Sequence, residues 1–280
     1  MKTAYPETVP TYSWGDPSRA RILFLHANSF AAGMYQPFME GLLDDYHVLA
    51  PELPGHGQSQ WPGVIKDWPS LADYYLQQMD NQGLTDPVIA MGHSIGGIIS
   101  LIMAVKQPQR FSKIVLLDPV LLPGKILTLI AIMRALGQRK RFPLARKAYR
   151  RRTHYPDRES ALERYRHKRV FARWQPRFLQ GYVDHCLRTL PDGSLELACS
   201  PELEASIYET LPVNVWSFVR KLRIPTLIVV GEHSDTVAPA GVRRLSRINS
   251  NLIVKTTPGG HLFPFEEPEA ALKIIREYLK

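Results

Sequence analysis

The chain has 280 residues, of which 45% are hydrophobic and 22% charged, a balance typical of a globular protein with a large core. Its most apolar stretch, residues 126–133, is far shorter than the roughly 18 consecutive apolar residues that a bilayer-spanning segment needs, which excludes a membrane-embedded protein. The net charge of +9 comes from one segment, because residues 121–180 carry 17 Lys and Arg against three acids whereas the rest of the chain has a net charge of −5.

The elements predicted along the chain alternate between strands and helices. The amino-terminal segment 1–17 contains no apolar run long enough for a signal peptide, so we expect a cytoplasmic protein, and residues 11–14 are compatible with an antiparallel edge strand. Runs rich in Val, Ile and Leu predict buried, mostly parallel strands at 21–26, 46–50, 87–93, 113–118, 226–231 and 251–256. Helical stretches are predicted around 33–43, 70–79, 96–106, 240–248 and 268–279. The alternation predicts an α/β fold with a doubly wound, mostly parallel sheet.

The alternation stops between residue 121 and about residue 223, where helical stretches follow one another. We therefore predict a core domain formed by residues 1–120 and 224–280, interrupted by an all-helical cap of residues 121–223, which we call the insertion. Its basic clusters at 139–141 and 150–152 indicate an anionic substrate, contact with an anionic lipid surface, or a solvated helical face. We expect no nucleic-acid partner, because no nucleic-acid-binding motif accompanies the charge.

The segment 88–100 predicts a nucleophile on a sharp turn. An apolar strand runs into Gly92-His93-Ser94-Ile95-Gly96, a Gly-x-Ser-x-Gly pattern, and a helix follows. Glycines on both sides remove side chains that would clash at so tight a turn, and the Ile95 N–H would point from the new helix toward a developing oxyanion. The plainer alternative is a helix start that Ser94 caps.

Four further segments favour the catalytic alternative. Residues 25–30 place a turn after the first parallel strand, where the Asn28 N–H could meet the oxyanion, and residues 51–59 form a glycine-rich loop after the next strand. Residues 230–239 set Asp235 just past a strand, and residues 258–266 set His261 just past the last strand. No phosphate-cradling loop, dinucleotide motif or metal-ligand spacing is found, so we predict neither a cofactor nor a metal.

Together these segments resemble the α/β-hydrolase fold family, in its lidded branch of esterases, peroxidase-like enzymes and carbon–carbon hydrolases. The resemblance covers roughly residues 1–120 and 224–280 and puts the insertion at the position of the family's cap. The family's order implies Ser94 as nucleophile, Asp235 as acid and His261 as base.

The resemblance also implies an oxyanion hole formed by the backbone N–H groups of Asn28 and Ile95. The chain departs from the family at Ala27, where the family has a glycine after the histidine. For the acid, Glu232 and Asp118 remain alternatives because both lie near strand ends.

A serine hydroxyl is a poor nucleophile near neutral pH, so an imidazole must accept its proton and a carboxylate must orient that imidazole. We therefore expect a carboxylesterase that works through an acyl-enzyme on small-molecule esters with an apolar acyl part. The same triad would serve a perhydrolase, carbon–carbon hydrolase, thioesterase or acyltransferase, and a non-catalytic binding protein of the same fold is the alternative outside enzymes. The sequence predicts no oligomeric state.

Overall fold

The computed structural model describes residues 4–280, so the first three residues of the segment predicted to lack a signal peptide lie outside the described residues. In chain order the strands are β1 Thr11–Trp14, β2 Ala20–Leu25, β3 Tyr46–Pro51, β4 Val88–His93, β5 Phe111–Leu117, β6 His154–Tyr155, β7 Leu187–Thr189, β8 Leu195–Leu197, β9 Thr226–His233 and β10 Leu252–Gly260. The α-helices are α1 Gln36–Met39, α2 Trp68–Asn81, α3 Ile95–Lys106, α4 Gly124–Ala135, α5 Pro143–Ala148, α6 Arg158–Arg166, α7 Pro176–Cys186, α8 Pro201–Glu209, α9 Val215–Lys221, α10 Pro239–Ile248, α11 Phe263–Glu266 and α12 Pro268–Leu279. Short 3₁₀ helices lie at Ala32–Tyr35, Glu40–Leu42, Pro108–Arg110, Arg139–Arg141 and Arg169–Phe171. Among residues 4–280, no helix is both long and apolar enough to cross a bilayer.

A seven-stranded sheet in the order β1-β3-β2-β4-β5-β9-β10 forms the centre of the molecule. Strand β1 pairs antiparallel with β3, whereas the other strand pairs of this sheet are parallel. The α/β fold class predicted from the alternating elements is confirmed. All six runs predicted as parallel strands are strands in the structure, and the predicted edge strand is β1.

Both faces of the sheet are buried along its inner strands β2, β4, β5 and most of β9, which explains why these strands are nearly continuous apolar runs. Along β2, Leu23 and Leu25 pack into the core that contains α2 and α3, whereas Ile22 and Phe24 pack into the core that contains α12. Successive side chains of a strand point to opposite faces, so each strand contributes to two cores. This packing holds the carboxyl ends of the strands at one edge of the sheet, where the loops that follow them meet.

The insertion is not all-helical, and that prediction is wrong. Strands β6, β7 and β8 form a small antiparallel sheet within it, in the order β6-β8-β7. A turn joins β7 to β8, in which the Asp192 carboxylate accepts a hydrogen bond from the Ser194 N–H at 3.0 Å and Gly193 has a φ of 84°. The strands are only two or three residues long, too short to give a periodic signal against the surrounding helices. No part of the insertion joins the seven-stranded sheet in the described chain, and its limits at residues 121 and 223 stay a prediction.

Candidate active site

Ser94 lies on a strained turn between β4 and α3. Its backbone has a φ of 57° and a ψ of −118°, a conformation that non-glycine residues rarely adopt. A Cβ atom at Gly92 would collide with the backbone of Gly96, and one at Gly96 would collide with the Leu25 carbonyl group. The close approach of three backbone segments therefore requires both glycines, as the motif indicates.

Ser94, His261 and Asp118 form a continuous hydrogen-bonded chain. The Ser94 Oγ lies 3.0 Å from His261 Nε2, and His261 Nδ1 lies 2.7 Å from the Asp118 carboxylate. Because a carboxylate only accepts hydrogen bonds, Nδ1 carries the proton and Nε2 is free to accept the serine proton. The three residues follow β4, β10 and β5, so the sheet places them at the same edge.

Asp235 does not orient the histidine, so this part of the predicted triad is wrong and Asp118, the alternative, occupies that position. Strand β9 continues to His233, two residues beyond the predicted end, and Asp235 emerges exposed past it. The residues on either side of Asp235 turn inward instead, because the hydroxyl groups of Ser234 and Thr236 each donate to the Asp118 carboxylate at 2.6 Å.

The surroundings of Asp118 keep it ionised although it is fully buried. Burial opposes ionisation, but hydrogen bonds from His261, Ser234 and Thr236 outweigh it and hold the pKa of Asp118 below its ordinary value. The Gly231 N–H donates a further hydrogen bond at 2.9 Å. Burial likewise disfavours the imidazolium form of His261, yet Asp118 raises the pKa of this histidine above its ordinary value, with smaller contributions from other carboxylates.

The two residues predicted to form the oxyanion hole lie on different elements, Asn28 in the loop after β2 and Ile95 at the start of α3. Ile95 is the first residue of α3, directly after Ser94, and neither its N–H nor that of Asn28 donates a hydrogen bond within residues 4–280. The Asn28 side chain is held by a hydrogen bond from Nδ2 to the Glu204 carbonyl at 3.2 Å. The alanine at position 27 causes no strain, because among the described non-glycine residues only Ser29, Ser94 and Asp118 have a positive φ. Catalytic use of these two N–H groups stays a prediction.

A buried hydrogen-bond relay, not predicted from the sequence, supports both His261 and the loop that contains Asn28. The Ala27 N–H donates to the Tyr35 hydroxyl at 3.3 Å, Tyr35 donates to His93 Nδ1 at 2.7 Å, and His93 Nε2 donates to the His261 carbonyl at 2.9 Å. Burial lowers the pKa of His93 to about 3, so it is neutral and can accept on one nitrogen while donating from the other. No sequence pattern indicates Tyr35 as the partner of His93.

The glycine-rich loop 51–59 lies against the same turn. His26 Nδ1 donates to the Ala27 carbonyl at 2.8 Å, and the Leu53 N–H donates to His26 Nε2 at 2.8 Å. The fully buried Glu52 carboxylate accepts from the Ala32 N–H at 2.9 Å. These contacts make His26 a structural residue that joins two loops.

The insertion contacts the loops of the triad through aromatic side chains and one arginine. Trp174 packs on Phe265 with ring centroids 4.4 Å apart, and Tyr182 packs edge-on to Phe30 at 5.9 Å. Arg151 donates hydrogen bonds to the Ser29 hydroxyl and to the Glu204 carboxylate, and its Nη2 donates to the Tyr182 hydroxyl at 2.6 Å. The insertion is therefore fixed beside the residues that follow Asn28 and His261.

Comparison with known proteins identifies the family of the chain. A family model described as alpha/beta hydrolase fold matches residues 20–268. Lipase LipV of Mycobacterium tuberculosis is 32% identical over 108 residues, which are 38% of this chain and 40% of the lipase. The 2-(acetamidomethylene)succinate hydrolase of Mesorhizobium japonicum is 27% identical over 92% of this chain and 87% of its own. A crystal structure of E-2-(acetamidomethylene)succinate hydrolase superposes with a TM-score of 0.78 at 21% identity, covering 96% of this chain and 94% of that one. Hydrolases are among its relatives, and the chain belongs to the α/β-hydrolase fold family.

Proposed function

We propose that this protein is a serine hydrolase that cleaves carboxylic esters through an acyl-enzyme on Ser94. The observation that carries the proposal is the hydrogen-bonded chain from the Ser94 hydroxyl through His261 to Asp118, with distances of 3.0 and 2.7 Å. The proposal thereby assigns the acid to Asp118.

The mechanism follows from these positions. The Ser94 Oγ attacks the ester carbonyl carbon as its proton passes to His261 Nε2, and Asp118 stabilises the imidazolium that forms. The oxyanion lies against the N–H groups of Ile95 and Asn28. When the carbon–oxygen bond to the alcohol breaks, the imidazolium returns its proton to the leaving oxygen, and water then repeats the sequence on the acyl-enzyme. No step requires a metal or an organic cofactor.

Two observations favour an ester over the other substrates that the triad could accept. One relative is named as a lipase, although that match is confined to 38% of the chain. The buried aromatic side chains that join the insertion to Phe30 and Phe265 form apolar surroundings near the site, which suit an apolar acyl part. Perhydrolase, thioesterase, acyltransferase and carbon–carbon hydrolase activities remain alternatives for the same residues.

Covalent labelling and turnover test the proposal together. We expect a fluorophosphonate probe to label the wild type and the Ser112→Ala variant, whose serine is exposed on β5, but not Ser94→Ala. A panel of p-nitrophenyl esters of increasing chain length should give turnover that follows the same pattern. Labelling of Ser94→Ala, or negligible turnover on every ester, would contradict the proposal.

A further inference from the structure

A cavity of about 410 Å³ in the insertion is lined almost entirely by cations. Seven of its eight lining residues are Lys or Arg, and we call them the basic pocket: Arg146 and Lys147 of α5, the run 150–152, Arg164 of α6, and Lys168. No Asp or Glu lines it. Positive side chains that converge on one concavity repel each other, so an anion bound there would be stabilised.

Within residues 4–280, most cations of the basic pocket have no ion-pair partner, as is also true of Lys140 and Arg141 elsewhere in the insertion. The pocket differs from those exposed cations because its seven cations line one concavity that contains no acid. Other cations of the insertion are paired, Arg158 with Asp184, Arg166 with Glu163, and Arg177 with Glu269. In the basic pocket only Arg151 forms an ion pair within residues 4–280, and its partner is Glu204. Six of the seven cations therefore have no carboxylate partner in the described chain.

The cations are close enough to affect each other's protonation. Burial lowers the pKa of Lys168, and repulsion from Arg151, Arg164 and Lys147 lowers it further. The Glu204 carboxylate opposes this lowering only as the smallest contribution, and Lys168 packs over the Tyr165 ring, 4.7 Å from its centroid, without a carboxylate partner of its own in residues 4–280. A bound anion would supply the negative charge that such a partner would bring.

The number and type of the cations indicate the class of anion. Guanidinium groups donate paired hydrogen bonds whose geometry matches phosphate oxygens, and a phosphate or diphosphate group carries more charge than a single carboxylate. The pocket is one compact concavity, and the chain outside residues 121–180 has a net charge of −5, so the basic surface does not extend along the whole molecule as a track for a nucleic-acid backbone would.

The pocket is also connected to the candidate active site. Arg151 lines it and donates a hydrogen bond to the Ser29 hydroxyl, and Ser29 directly follows Asn28. We propose that the basic pocket binds a phosphate or diphosphate group and that this group belongs to the leaving alcohol or thiol of the substrate. The site itself stands on its cations, and only its link to turnover rests on the proposed function.

Binding of inorganic pyrophosphate to the full-length protein tests the site. We expect binding by calorimetry, measured at constant ionic strength in wild type and in Ser94→Ala, so that failure of the esterase proposal leaves the measurement intact. Replacing Arg150 and Arg164 together by glutamine should weaken binding roughly tenfold or more, because charge-assisted hydrogen bonds are lost. The double variant Lys140→Gln with Arg141→Gln removes the same charge from exposed positions outside the pocket and should change the affinity less than about twofold. No binding, or equal weakening in both double variants, would overturn the proposal.

Two phosphate sources are then separated with the same variants. Coenzyme A represents a soluble, phosphate-bearing leaving thiol, and phosphatidylcholine vesicles containing phosphatidic acid represent a lipid headgroup. Binding of coenzyme A that the Arg150 and Arg164 double variant weakens, without an effect of that variant on vesicle binding, supports the substrate assignment. Pocket-dependent vesicle binding without coenzyme A binding would overturn that assignment and identify the ligand as a headgroup.

Discussion

Replacing Asp118 by asparagine is expected to lower kcat for ester hydrolysis about 10⁴-fold while the protein still folds. The new carbonyl oxygen can keep the hydrogen bond from the Gly231 N–H, and one of the two hydroxyl groups that now donate to Asp118, those of Ser234 and Thr236, can rotate to accept one N–H of the new amide. In the wild type, His261 Nδ1 lies 2.7 Å from an Asp118 oxygen. In the variant an amide nitrogen takes the place of that oxygen and donates a hydrogen bond to Nδ1. The proton of the imidazole then moves to Nε2, which faces Ser94 and can no longer accept the serine proton. The loss corresponds to about 5 kcal/mol of transition-state stabilisation.

Asp235→Asn is the matched control, since it makes the same change on the carboxylate that the sequence alone favours as the partner of His261. The Asp235 side chain is exposed and forms no hydrogen bond with His261 in residues 4–280. Its negative charge acts on His261 from a distance and is one of the charges that raise the pKa of that histidine. Only the neutral imidazole accepts a proton, so activity rises with pH through this pKa. Removing the Asp235 charge should therefore shift the acid limb of kcat/KM to lower pH and leave the plateau nearly unchanged. Loss of activity in Asp235→Asn with little loss in Asp118→Asn would refute the reasoning.

Three further predictions concern the support of the site and its surface. Gly96→Ala should lower the melting temperature and abolish turnover, because the new methyl group would collide with the Leu25 carbonyl group. Gly124→Ala should change neither, because no atom lies within 4 Å of the new Cβ. Wild-type melting temperature and turnover in both variants would contradict this prediction. Tyr35→Phe should reduce the free energy of unfolding in urea by about 1–3 kcal/mol because it leaves buried polar partners unsatisfied, and an unchanged value would argue against the relay. Contact of the basic insertion with anionic lipid stays a prediction, and Leu129 of α4, which is 56% exposed, is placed to take part in it. The Leu129→Gln variant is expected to lose binding to anionic vesicles, whereas Val64→Gln, at a residue that is 48% exposed outside the insertion, should keep it. Equal vesicle binding by the two variants would contradict this prediction.

The sheet and two members of the hydrogen-bonded chain, Ser94 and His261, were predictable because the signals are local. Each parallel strand is a short apolar run, and the turns that carry Ser94 and His261 are marked by adjacent glycines. Asp118 and Asp235, by contrast, both follow strands at the same edge, β5 and β9. Their order along the chain does not determine which carboxylate turns toward the histidine.

Features that only the folded chain possesses decide between those carboxylates. Asp118 has a φ of 41°, which turns its side chain directly after β5, and its backbone N–H donates to the Val229 carbonyl at 2.8 Å, fixing it beside β9. The unpredicted strands of the insertion have a similar cause, because the Asp192–Gly193 turn was visible in the sequence but its flanking strands gain stability only by pairing.

The relay through Tyr35 and His93 shows why the remaining part of the site is invisible in the sequence. Its hydrogen bonds join residues 8, 58 and 168 positions apart, so no spacing or periodicity marks them. At one end it holds the loop of Asn28, proposed to bind the oxyanion, and at the other the carbonyl group of His261, proposed to take the proton. Proton transfer and stabilisation of the oxyanion must occur in the same transition state, and a common support holds their two groups in a fixed relation. Loss of one link is therefore expected to act on both, and to reduce kcat more than it raises KM.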